Sequence, residues 1–190
     1  MAEMSAFSRW SMRRGARRRA VKLLDTVQPQ LSLPPSARLL ELGAGSGGLS
    51  VLLHERFPSA RLTATDYDPR QVEEVERSFR HRFSSIPSGV EVRALDARQL
   101  SFADGSFDAI FAVMMLHHVE AAHFDYQARP AVLREIRRVI APGGFLVYLD
   151  FSRTEEMDRT LGELGLLRVF EKRRWPRTEL AVFRAPGAPS

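Results

Sequence analysis

The chain has 190 residues, 44% of them hydrophobic and 27% charged, which fits one globular domain with enough core to fold alone. No apolar run approaches the roughly 18 residues of a membrane span, and no apolar segment follows the first arginines as a signal peptide requires. With no cysteine there is no disulfide framework, thiol nucleophile or thiolate metal site, so the cytoplasm is the expected compartment. The net charge of +5 favours anionic partners: nucleic acid, anionic lipid or an acidic small molecule. That excess is concentrated at Arg9, Arg13, Arg14, Arg17, Arg18, Arg19 and Lys22.

In chain order, residues 1–15 carry no regular pattern. Ala20, Leu23, Leu24 and Val27 then fall at helical spacing and predict an amphipathic helix over 16–28. Pro29, Pro34 and Pro35 punctuate a linker. Arg38–Leu42 reads as the first strand and Gly47–Phe57 as the first helix of the domain, followed by a second strand at Arg61–Thr65. Asp68 caps the next helix, with Pro69 in its first turn and Gln71 placed as in a capping box. Strands are predicted at Val90–Leu95 and at Phe107–Met114, the latter apolar on both faces. A helix over Pro130–Ile140 ends at Pro142-Gly143-Gly144, which turns into a fifth strand, Phe145–Leu149.

Ser152-Arg153-Thr154-Glu155 reads as a capping box opening a helix to about Leu164. Two closing strands, near Leu166–Glu171 and Glu179–Arg184, would form an antiparallel hairpin if directly joined. The alternation predicts an α/β fold, a parallel sheet covered on both sides by helices. Residues 1–28 are read as a basic leader and helix, 29–185 as the domain, and 186–190 as a frayed tail.

The run Leu39-Leu40-Glu41-Leu42-Gly43-Ala44-Gly45-Ser46-Gly47-Gly48 is a strand, a glycine-rich turn and a helix start. Gly43-x-Gly45-x-x-Gly48 satisfies a dinucleotide-binding pattern, with Asp66 near the place of a ribose-binding acid. Glu41 argues the other way, because an acid two residues before the turn suits a cationic amino group better than a diphosphate. An ionised Asp66 can accept from both hydroxyls of a ribose. His117 and His118, after the fourth strand, are candidate bases, since imidazole titrates near neutral pH. Adjacent histidines point apart, and His123 with Asp125 gives no recognised ligand spacing, so no metal site is expected.

Four motifs in register resemble the class I S-adenosylmethionine-dependent methyltransferases of the small, single-domain type, over roughly Ala37 to Asp150. They are Glu41-x-Gly43-x-Gly45-x-Gly47; Thr65-Asp66-Tyr67-Asp68; Leu95-Asp96-Ala97 with Leu100 to Asp108; and Leu133-Arg134-Glu135-Ile136 with Val139 to Gly144. The resemblance implies a three-layer α/β/α Rossmann-like sandwich with a seven-stranded, mostly parallel sheet and a C-terminal antiparallel hairpin. It implies S-adenosylmethionine as cofactor, held by Glu41, Gly43, Ala44, Gly45, Gly47, Asp66, Tyr67, Asp96, Ala97 and Met114. Asp66 would take the ribose hydroxyls, Asp96 the adenine amine and the Ala97 N–H a ring nitrogen, with Tyr67 and Leu100 on either side of the adenine.

Met115, His123, Tyr126 and Trp10 are expected on the acceptor side, the stretch Glu120–Arg129 being read as a connecting loop. The expected acceptor is a small molecule or a lipid headgroup. The basic segment, with Phe7, Trp10 and Met12 among its arginines, has three functional readings: a gate over the cofactor, contact of residues 7–22 with anionic membrane, or contact with RNA phosphates. A solvated tail is the alternative to all three. An RNA methyltransferase, a nicotinamide-dependent oxidoreductase and a non-catalytic cofactor-binding partner protein are the competing functions. RNA is disfavoured because the fourth strand lacks an Asn-Pro-Pro-Tyr or Asp-Pro-Pro-Tyr tetrapeptide.

Overall fold

The computed structural model of the chain describes residues 18–123, 128–151, 154–174 and 178–188. Helix α1, residues 18–27, leads through a short turn containing Pro29 to strand β1, Arg38–Leu42. Helix α2 (Gly48–Arg56), β2 (Arg61–Asp66), α3 (Pro69–Phe83) and β3 (Val90–Ala94) follow. The second half comprises β4 (Phe107–Val113), α4 (Leu116–His123), α5 (Ala128–Val139), β5 (Ile140–Phe151), α6 (Thr154–Glu163), β6 (Leu167–Arg174) and β7 (Thr178–Arg184).

The seven strands form one sheet in the order β3-β2-β1-β4-β5-β7-β6. The first five are parallel, and β7 runs antiparallel to both β5 and β6. This is the expected sheet with its antiparallel hairpin. Alternate residues of each strand enter opposite layers, as the two-residue strand period requires. Leu39, Phe111 and Val147 pack with α1, α2 and α3 through Leu24, Val27, Leu53 and Phe79. Leu40, Ile110 and Leu146 pack with α5 and α6 through Leu133, Ile136 and Leu161. The order of connection reverses between β1 and β4, so a crevice opens beyond the carboxyl ends of those strands.

Side chains tie this frame together. Asp108 accepts from the Arg38 backbone N–H at 2.8 Å and pairs with its guanidinium at 2.9 Å, joining the starts of β4 and β1. The hydrogen bonds from Arg38 hold the Asp108 carboxyl below its ordinary range. Asp68 caps α3 through the Arg70 N–H at 2.9 Å, as its sequence predicts.

Three segments differ from the sequence expectation. Leu116–His123 is a helix that reaches into the stretch 120–129, where the sequence predicts a connecting loop, because its N-terminal cap comes from another strand. The buried Asp150 carboxylate, at the end of β5, accepts from the Leu116 N–H at 2.9 Å and the His117 N–H at 3.3 Å. No local Ser, Thr or Asp marks that start. Helix α5 stops at Val139, and Pro142-Gly143-Gly144 forms an irregularity inside β5 instead of ending the helix. The register jumps there, from Phe107 opposite Ile140 to Ala109 opposite Phe145. The bulge also receives the end of the chain, since the Gly143 N–H donates to the Pro186 carbonyl at 2.8 Å. The Ser152-Arg153 half of the expected capping box lies outside the described residues.

Gly144 is fixed by its neighbours: an added Cβ would meet the Ala141 carbonyl oxygen at 2.9 Å and that of Asp108 at 3.1 Å. Both are backbone atoms of the sheet and cannot swing away. Gly144→Ala is expected to cost about 1–3 kcal/mol, read as a fall of several degrees in Tm by calorimetry; an unchanged Tm would contradict this packing.

Candidate functional site

Two cavities open beyond the carboxyl edges of β1, β2, β4 and β5. The first, of about 430 Å³, lies between the glycine turn and the ends of β2 and β3. The second, of about 440 Å³, lies between α1, the glycine turn and the ends of β4, β5 and the start of β7. Gly43 and Met114 line both and form the wall between them.

Asp66 organises the first cavity. Its Oδ2 accepts from the Gly45 N–H at 2.9 Å and its Oδ1 from the Asp68 N–H at 3.0 Å. The glycine turn is thereby tied to the end of β2, and each carboxylate oxygen keeps a lone pair for a ligand hydroxyl. Tyr67, 63% exposed, offers a ring face at the rim. Asp96 and Ala97 line the same cavity, with Asp96 paired to Arg98 at 2.6 Å. Leu100 is placed differently from the expectation. It is buried in the core, where its N–H donates to Glu135 at 2.7 Å, and it does not reach the cavity. Arg138 of α5 donates to the Leu100 and Phe102 carbonyls at 2.8 and 2.6 Å, so the loop after β3 is held down on α5.

The glycines of the turn divide their work. Gly45, with φ +54°, has nothing within 4 Å of an added Cβ, so its backbone faces open cavity where a ligand can approach. Gly43 is held by packing instead: a Cβ would lie 2.6 Å from the Met115 Cβ. Gly47 lines neither cavity and lets α2 pass close to Val75 of α3, whose Cα would lie 2.9 Å from an added Cβ.

Glu41 and Ala44 line the second cavity, not the first. The Glu41 carboxyl is buried and accepts from the Ser50 hydroxyl at 2.5 Å. Burial pushes its pKa up to about 8, against the Ser50 hydrogen bond, with the Asp66 charge adding to the rise. A cation placed in this cavity would favour its ionised form.

The two histidines part company. His118, with Met115, faces the first cavity at the spacing of one helix turn. Burial and the adjacent His117 lower the His118 pKa. His117 lines neither cavity: its Nδ1 lies 2.6 Å from Asp150 Oδ1 and its ring centroid 3.9 Å from that of His118. With Asp150 ionised, that nitrogen carries the proton and donates. Trp10 and Tyr126, with Phe7 and Met12, lie outside the described residues, as does the side chain of His123. No cluster among the described residues is suited to a metal ion, and no described helix is long and apolar enough to cross a membrane.

Sequence reasoning missed Arg98, Gln71 and Val119 in the first cavity, and Arg19, Leu23, Leu149, Thr178 and Leu180 in the second. Val119 had a signal, four residues beyond Met115 in what proves to be a helix. The second-cavity residues had none, since the fold brings them from α1, β5 and β7.

The raised Glu41 pKa has a thermodynamic consequence. The folded chain holds this proton more tightly than the unfolded chain does, so ligand-free stability falls as pH rises from about 4.5 to about 8, then levels. Glu41→Gln is expected to remove most of that slope in denaturant titrations across the window. An unchanged slope would contradict the burial argument.

A family model described as "Methyltransferase domain" matches residues 40–148, from the first strand through most of β5. The chain is 35% identical over 163 residues to a demethylmenaquinone methyltransferase of Thermus thermophilus, covering 84% of this chain and 63% of that one. It is 32% identical over 117 residues to a ubiquinone/menaquinone biosynthesis C-methyltransferase of Desulfotalea psychrophila, covering 62% of this chain and 42% of that one. The chain thus spans about half the length of these curated relatives. A solved structure of a putative sarcosine dimethylglycine methyltransferase from Galdieria sulphuraria shares the fold, with a TM-score of 0.72 at 16% identity over 92% of this chain and 88% of that one. Glycine turn, acidic β2 end, sheet order and family match agree, and the chain belongs to the methyltransferase domain family, the class I S-adenosylmethionine-dependent methyltransferases.

Proposed function

We propose that the chain transfers a methyl group from S-adenosylmethionine to a nucleophilic atom of a small or lipid-like molecule. The observation that carries this is the meeting of two cavities at the Gly43–Met114 wall, one with nucleoside partners and the other open to an acceptor. The names of the two curated relatives, which refer to quinone precursors, support such an acceptor.

The residues present fit the cofactor. The open face of Gly45 leaves room along the main chain, Asp66 has lone pairs for ribose hydroxyls, and Tyr67 has an exposed ring for the base. Glu41, from the second cavity, supplies a carboxyl for an ammonium group. The bound cofactor supplies a methyl group already activated on a sulfonium, whose carbon–sulfur electron pair stays with the departing thioether. What remains for the chain is alignment, because holding nucleophile, carbon and sulfur in line removes the entropic cost of a bimolecular encounter.

His118 lines the first cavity with Met114, on the cofactor side of the shared wall, so as a base it would take the acceptor's proton across that wall. Its lowered pKa keeps it neutral near pH 7, and a neutral imidazole has a nitrogen free to accept. His117 acts as a positioning residue, fixed by Asp150 and with its ring tilted against that of His118. Arg19 of α1 lines the second cavity, which supports the reading of the basic segment as a gate.

Calorimetric titration with S-adenosylhomocysteine and with NADH tests the cofactor reading. Binding of the first alone is expected, with Asp66→Asn weakening it by at least about tenfold; binding of NADH alone would overturn it. His118→Gln is expected to lower kcat by about 10²-fold or more with S-adenosylhomocysteine affinity unchanged. It is also expected to flatten the acid limb of the pH–rate profile. A full kcat in that variant would leave His118 as a wall residue only.

A further inference from the structure

We propose that the second cavity is the acceptor site and that it takes an apolar molecular body, aromatic or alkyl, in preference to an ammonium headgroup. The inference rests on the methyltransferase reading above and names the class of acceptor for that site.

The cavity shares the Gly43–Met114 wall with the cofactor cavity, so a methyl group presented at that wall is within reach of a molecule in either. Met114 is held at the divide by its backbone: φ is +55°, and its N–H donates to the Leu149 carbonyl at 2.6 Å. Beyond this wall the lining is Leu23 of α1, Leu49 of α2, Val113 of β4, Leu149 of β5 and Leu180 of β7. Val113 and Leu149 remain half-exposed although they sit at the centre of the sheet's edge. Covering apolar surface of this kind contributes about 25 cal/mol per Å².

The polar inventory points the same way. Among the described residues the only ionisable groups lining the cavity are Arg19 at its α1 side and Glu41 beside the glycine turn. Glu41 accepts from Ser50 and is the carboxyl assigned above to the cofactor's ammonium group. No aromatic side chain is among the described lining, so an ammonium acceptor finds no ring face to rest on. An apolar body meets five aliphatic side chains, and Arg19 at the side favours an acidic substituent over a cationic one. At about 440 Å³ the cavity falls in the range of small-molecule sites and holds a ring system or short chain beside the cofactor's tail.

The test uses the full chain saturated with S-adenosylhomocysteine and titrates 1-anilinonaphthalene-8-sulfonate, an apolar ring body with one acidic group, by calorimetry. One probe site is expected. Leu149→Trp, which fills the β5 side of the cavity two strands from Glu41, is expected to weaken the probe at least about tenfold while S-adenosylhomocysteine affinity stays within about twofold. Thr178→Trp, at the half-exposed start of β7, fills the same space and serves if Leu149→Trp does not fold. Choline is expected neither to bind nor to displace the probe.

Equal probe affinity in wild type and the filled variant would overturn the proposal, as would displacement by choline. Loss of S-adenosylhomocysteine affinity in step with the probe would also overturn it, by giving the cavity to the cofactor. If deleting residues 1–17 is needed before the probe binds, the cavity belongs to that segment and the proposal fails. Each of these failures leaves S-adenosylhomocysteine binding in the wild type intact, whereas failure of the methyltransferase reading would abolish it.

Discussion

The Asp66 carboxylate is the interaction on which the site depends. Its two oxygens take the N–H groups of Gly45 and Asp68, joining the turn after β1 to the start of α3. A carboxylate accepting backbone donors is a strong, directional tie. It fixes the glycine turn without filling the space the turn encloses. The same group then remains available at the cavity wall for a ligand's hydroxyls. Structural and binding roles are therefore one arrangement, and the side chain cannot be shortened without loosening both.

Asp150 performs a comparable task across the crevice. From the end of β5 it supplies the N-terminal cap of α4 and holds His117, whose ring lies tilted against that of His118. Met115, just before α4, packs against Gly43, one of two places in the turn where a Cβ has no room. The two buried or partly buried acids thus clamp the glycine turn from opposite sides. Met114 sits between them with a left-handed backbone. Such strain in a non-glycine residue persists where the surroundings fix it, and here it stands at the wall between the two cavities.

Much of this was legible in the sequence. Alternating apolar segments and glycine punctuation located all seven strands, and the order of the motifs located Asp66, Tyr67, Asp96 and Ala97 at one cavity. What was not legible arose from non-local contacts. Helix α4 begins with no local cap because Asp150, 34 residues from Leu116, provides it. Leu100 looked like an adenine contact by its place in the motif, yet Glu135 and Arg138 draw its backbone onto α5 and its side chain into the core. Pro142-Gly143-Gly144 has the composition of a helix stop, but the sheet absorbs it as a register break beside Asp108. The second cavity was legible only on its glycine-turn side, through Glu41, Gly43, Ala44 and Met114, because its other walls come from the distant α1, β5 and β7.

A structure of the chain with S-adenosylhomocysteine bound measures the central claim directly. Ribose hydroxyls are expected within hydrogen-bonding distance of Asp66, the adenine against Tyr67, and the sulfur at the Gly43–Met114 wall facing the second cavity. A ligand whose ribose lies away from Asp66, or whose sulfur faces away from that wall, would contradict it.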